Sequence, residues 1–145
     1  MIKSTYWKIE QLPGVSSQEV AQLRSVNILN TQILLEQTQT QEMKIALAAR
    51  LGLSLPNVNK WVVLADLARI PSIGCYYCGL LLHIGVISIP QLIESHADRL
   101  HQQILRLQVA TMQRKDLCPP VDLVQQWIRE GRSLLISHEK SNNVL

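Results

Sequence analysis

Apolar residues recur three or four positions apart along nearly the whole chain, and no stretch alternates convincingly with period two. That spacing lays apolar side chains along one face of a helix and predicts an all-α protein. In QEMKIALAARLG, Met43, Ala46, Leu47, Arg50 and Leu51 fall at helical spacing, and Gly52 supplies the stop. Ser54 caps LPNVNKWVVLADLAR, which has Pro56 in its first turn. HADRLHQQILRLQVATM carries Leu100, Ile104, Leu107 and Met112 on one stripe. Cys118, Pro119 and Pro120 then break the chain and open a last helix, where Val121, Val124, Trp127, Ile128 and Leu135 share helical spacing.

Two segments of this pattern match each other. LPGVSSQEVAQLRSVNILNTQILLEQ, from Leu12, aligns without a gap on IPSIGCYYCGLLLHIGVISIPQLIES, from Ile70, at an offset of 58 residues. Pro13 meets Pro71, Val15 meets Ile73, Leu23 meets Leu81 and Val26 meets Ile84. Asn27 meets Gly85, and these residue types tolerate the positive φ that ends a helix. Asn30 meets Ser88, both good N-caps, with Pro90 in the first turn of the helix that follows. Each copy therefore reads as a turn, a short helix, a left-handed stop and a second capped helix. Ile73, Leu81 and Ile84 are expected in the core with Val15, Leu23 and Val26 as their counterparts.

The repeated turn resembles the helix-hairpin-helix motif: apolar, Pro, Gly, apolar, Gly, then a short helix with small and leucine positions. The first copy keeps Pro13, Gly14, Val15, Ala21, Leu23 and Ile28, and the second keeps Pro71, Ile73, Gly74, Leu81, Gly85 and Val86. KWVVLADLARIPSIG, leading into the second copy, is similar to a narrower family, domain of unknown function 4332, as are LHQQILRLQ and the Trp-containing last helix. The resemblance spans about residues 6 to 135. It implies a tandem all-helical fold and no established activity. The expected layout is one domain over 1–145, with a first half at 6–52, a second at 53–136 and a flexible tail at 137–145.

At 145 residues such a chain buries about 70% of its unfolded surface, enough for a core without staples. Most of the core must be aliphatic, because the chain has no Phe. A net charge of +3 is too small to imply nucleic-acid binding by the protein as a whole. No apolar run reaches signal-peptide length or the ~20 residues of a membrane span, and three cysteines do not make a disulfide framework. These features lead us to expect a soluble, cytoplasmic protein.

Candidate chemistry is sparse. In a helix-hairpin-helix, backbone N–H groups freed by two glycines hold a phosphate. Here Ser16 replaces one glycine, Ser72 replaces another, and neither turn carries Lys or Arg. Ser16 and Glu19 also have capping-box spacing, which sets a carboxylate at the anion position. DNA binding through Gly14 and Gly74, with Arg24, Lys60 and Arg69 as phosphate partners, is therefore the alternative reading. Cys75 and Cys78 have a zinc-like gap, and Cys118 or a histidine could add a ligand, yet nothing completes a four-ligand set. Cys75 falls near a helix N-terminus, where a thiolate is favoured, whereas Cys78 aligns with Val20 and reads as a small core residue. His83, His96, His101 and His138 share no short-range pattern, and Asp66 is placed to pair with Arg69. Trp61 and Trp127 read as core plugs. Tyr76 and Tyr77 replace the polar pair Gln18 and Glu19 of the first copy, so at least one is expected at the surface as a protein contact. No catalytic motif is present. The expectation is a non-enzymatic adaptor for another protein, without metal or cofactor.

Overall fold

The computed structural model describes residues 3–111 and 118–143. A 3-10 turn at Ile9–Gln11 precedes eight α-helices among these residues. They are α1 (Ser17–Ser25), α2 (Thr31–Glu36), α3 (Gln41–Leu51), α4 (Leu55–Leu67), α5 (Gly74–His83), α6 (Ile89–Ile93), α7 (Ala97–Thr111) and α8 (Val121–Asn143). Among the described residues the extended pairing is a single isolated bridge between Lys8 and Asn30.

Local chemistry sets most of the helix boundaries. Ser16, Asn30, Thr40, Ser54 and Ser88 each accept a backbone N–H in the first turn of the helix they precede, which satisfies donors that a helix start leaves open. Pro56 and Pro90 lie in the first turns of α4 and α6. Asn27 and Gly85 stop α1 and α5 with φ of 64° and 93°. The bonds around these stops recur at the same offset. Ile28 N–H donates to Leu23 C=O at 3.0 Å, and Val86 N–H to Leu81 C=O at 3.0 Å.

Helix α4 packs against α2, α3 and α5, while α8 packs against α6 and α7. Trp61 on α4 and Trp127 on α8 are buried in these two packing regions, among Leu64, Leu67, Ile70, Leu92 and Ile104. The N-terminal arm is stitched across the first region. Trp7 exchanges hydrogen bonds with Thr31, donates its indole N–H to Ala68 C=O at 2.9 Å, and is followed by Ile9 N–H on Leu29 C=O. Gly74 lies beneath the Trp7 ring, so close that a Cβ there would stand 2.8 Å from Cζ2.

Several burial expectations need correction. Ile73, Leu81 and Leu23 are in the core, but Val15, Val26 and Ile84 are half-buried at its edge. Val26 and Ile84 are the C-cap residues of their helices, and Ile28 and Val86, two positions on, take the buried places instead. On α3 the inward residues are Leu47 and Ala48, leaving Met43, Ala46 and Arg50 exposed. On α8 Leu134 is buried and Leu135 only half-buried. Met112 lies outside the described residues. The α8 backbone runs to Asn143, through most of the stretch expected to form a tail.

Gly85 has open space around its missing Cβ, so its requirement is one of backbone conformation alone. Gly85→Val should destabilise the fold by more than about 1 kcal/mol, because a β-branched residue resists positive φ. Gly85→Asn should cost less, since Asn27 already occupies the matching position. Cys75→Ser should also stay below that cost. Urea denaturation of the three variants measures the order.

Candidate functional site

The turn between α4 and α5 gathers most of the residues that carry chemistry. Ser72 sits at its tip, and α8 supplies every side chain that bonds to it. Ser72 N–H donates to Glu130 Oε1 at 3.0 Å and Ser72 Oγ donates to Glu130 Oε2 at 2.6 Å. Gln126 Nε2 donates to both Ser72 Oγ and Glu130 Oε2, at 2.8 and 2.7 Å. Trp127 Nε1 donates to Ser72 C=O at 3.2 Å. Glu130 is 6% exposed, and a carboxylate at that depth is tolerable only when such donors replace its water.

The turn before α1 is also held by a carboxylate, but at Ser16, which matches Gly74, and not at Gly14, which matches Ser72. Ser16 N–H donates to Glu19 Oε1 at 2.9 Å, and Glu19 N–H donates to Ser16 Oγ at 3.1 Å. Both turns thus direct a backbone N–H at a side-chain oxygen of the protein itself. The capping box was legible from Ser16 and Glu19. Glu130 was not, because its partner lies 58 residues away and nothing local distinguishes it from a solvated helix glutamate.

The cations of the DNA reading are dispersed. Arg24 pairs with Glu10 at 2.8 Å and Arg69 with Asp66 at 2.8 Å. The Arg24 pair is open to water, where such contacts contribute little; beside it Glu10 is held below the usual carboxylate range by a backbone hydrogen bond and by Arg24. Gly74 is covered by Trp7, whereas Gly14 is exposed with the Lys60 ammonium close by. The structure brings Gly14 and Lys60 together and leaves Arg24, Arg69 and Gly74 elsewhere.

The cysteines do not converge on a metal site. Among the described residues no group of three or more His, Cys, Asp or Glu side chains could hold a metal ion. Cys78 is buried and Cys75 half-buried, both free thiols. Burial pushes the Cys75 thiol up to about 11, and burial together with Cys75 pushes Cys78 up to about 12. The expectation of a favoured thiolate at Cys75 is corrected here: although it lies in the first turn of α5, loss of water outweighs the helix terminus. Cys118 Sγ lies 3.7 Å from His101 Nε2, and burial raises that thiol too. His83 and His96 are exposed and His101 half-buried; the side chain of His138 is outside the described residues.

Tyr76 is the outstanding surface feature, 81% exposed on the outer side of α5. Tyr77 turns inward, with its ring 5.2 Å from Trp127, and Tyr76 stands edge-on to it at 4.7 Å. Beside Tyr76 runs an open groove of about 420 Å³, with Trp7, Gln11 and Pro71 among its lining residues and no charged side chain among them. Trp7 was not singled out from the sequence. A tryptophan in an otherwise polar N-terminal stretch was the available signal.

A family model described as Domain of unknown function (DUF4332) matches residues 13–134.

The chain belongs to the DUF4332 family.

No curated protein and no solved structure matches it. The match runs from the first turn to the middle of α8 and so includes both turns, Tyr76 and Glu130. No helix among the described residues is long and apolar enough to cross a membrane.

Three tests follow from the site. Glu130→Ala strands the Ser72 N–H and should cost about 2–3 kcal/mol, whereas Ser72→Ala keeps that N–H bonded and should cost less. Thermal or urea unfolding gives the comparison. For the cysteines, native Cys78 should resist iodoacetamide at pH 8 and label readily once unfolded. The unfolded thiols, at the ordinary 9.0, ionise before the folded ones at about 11 and 12. Their contribution to stability is therefore complete below pH 9 and lost as pH rises through 11 to 12. Elemental analysis should find well under one zinc per chain, and chelator should leave the melting temperature in place.

Proposed function

We propose that the chain is a non-enzymatic adaptor that binds another protein through the surface around Tyr76. The observation that supports this best is an aromatic ring 81% exposed beside an uncharged groove. Tyrosine combines a large apolar face with one polar tip and little rotamer entropy, which is why it is enriched among residues that dominate interface energy. The ring is also braced: Tyr77 supports its edge, and Trp127 supports Tyr77 from the core. Holding it in place before binding reduces the ordering cost of association.

Sequence-independent DNA binding is the second reading, favoured by Gly14 and Lys60 lying together. Three arrangements weigh against it. The N–H groups of Ser16 and Ser72 are already bound by Glu19 and Glu130. Arg24 and Arg69 are engaged with Glu10 and Asp66. Gly74 is covered by Trp7. Catalysis draws no more support. The Cys118 and His101 pair lies closest to a nucleophile and base, but its thiol is raised by burial rather than activated.

A tagged wild-type chain expressed in its native cell should enrich a protein partner that a Tyr76→Ala chain loses, with equal melting temperatures for the two. Fluorescence anisotropy at low salt should show no binding of duplex DNA at roughly tens of micromolar protein. Salt-sensitive DNA binding, together with identical partners for both chains, would refute the adaptor reading.

A further inference from the structure

We propose that the cleft between the turn before α1 and helices α4 and α5 binds a small amphipathic carboxylate, with an alkyl body and a single anionic head. It shares no lining residue with the Tyr76 groove, so it stands apart from the adaptor reading. Its volume is about 420 Å³, within the range of roughly 300–1,000 Å³ that small-molecule pockets occupy.

The cleft has an apolar interior and a cationic mouth. Leu64 from α4 and Leu82 from α5 line it, with Pro13 on the side of the turn. Leu64 is buried and Leu82 half-buried, so an alkyl chain would meet hydrocarbon already packed into the core. Two glycines, Gly14 and Gly79, leave its walls without side chains. Gly79 lies in the middle of α5 with ordinary helical backbone, where glycine costs about 1 kcal/mol relative to alanine. A Cβ there would stand 3.4 Å from Pro13 Cγ, in contact with the turn, so the glycine leaves that part of the wall bare.

Lys60 and His83 complete the lining, and no carboxylate is among it. The Lys60 ammonium folds over the turn, with Nζ 3.4 Å from where a Gly14 Cβ would stand. Neither ion pair among the described residues involves Lys60. An ammonium over an apolar cleft is complementary to a carboxylate head on an alkyl body. A phosphodiester backbone fits less well. It offers nothing apolar to the Leu64 and Leu82 floor.

Amide NMR of the full chain titrated with sodium octanoate tests this, with 1-octanol, octylamine and a short DNA duplex as parallel probes. Octanoate should shift the amides of Gly14, Lys60, Gly79 and Leu82 saturably. Octanol and octylamine should bind about threefold to fivefold more weakly or not at all, the effect of losing one exposed charge pair. Lys60→Gln should weaken octanoate by the same factor and Lys60→Arg should restore it; the side chain is exposed, so both variants should melt as wild type does. Equal binding of octanoate and octanol would overturn the proposal, as would shifts confined to other surfaces or the absence of saturation. If the duplex shifts these amides while octanoate does not, the cleft is a phosphate contact and the proposal fails.

Discussion

The Glu130 carboxylate is taken out of water and given three donors in exchange: Ser72 N–H, Ser72 Oγ–H and Gln126 Nε2. This contact ties α8 to the turn between α4 and α5. Trp127, three residues earlier on α8, then reaches Ser72 C=O with its indole and fills the core beside Tyr77. Gly131, the next residue, comes so close to α6 that a Cβ would stand 3.0 Å from Ile93 Cγ2. Polar clamp, aromatic plug and close helix approach follow one another along a single stretch of α8.

The same clamp bears on function. A turn of this kind offers backbone N–H groups to an anion, and here one such group in each turn is bound by a carboxylate of the protein itself, Ser16 N–H by Glu19 and Ser72 N–H by Glu130. What the second turn presents outward is then the ring of Tyr76 and the groove bounded by Trp7 and Pro71. Trp7 contributes twice to that surface, because its ring covers Gly74 while its indole N–H is bound at Ala68 C=O.

Charge and thiol chemistry follow burial rather than residue type. Asp66 in the last turn of α4 and Arg69 just beyond it are three residues apart, close enough in chain for their side chains to meet. Arg24 reaches fourteen residues back to Glu10, through a turn that only the fold brings near. The Cys75 and Cys78 thiols sit where water is scarce, so the start of α5, which would favour a thiolate in solvent, does not produce one.

By itself the sequence determined that the chain is helical and where many of its helices begin and end. Ser54 as a cap, Asn27 and Gly85 as left-handed stops and the Ser16–Glu19 box are all decided within four residues of chain, where backbone geometry leaves few options. Trp61, Trp127 and Cys78 were legible as core residues because helical spacing marks an inward face. Tertiary structure alone decided which glutamate is buried, which tryptophan covers Gly74, and which of two adjacent tyrosines faces water. It also placed Lys60 over Gly14, and it put the matching pair Val26 and Ile84 at the edge of the core, with Val15 there too although its counterpart Ile73 is buried. Those outcomes depend on contacts between residues tens of positions apart, and hydrophobic spacing along a chain carries no information about such distances.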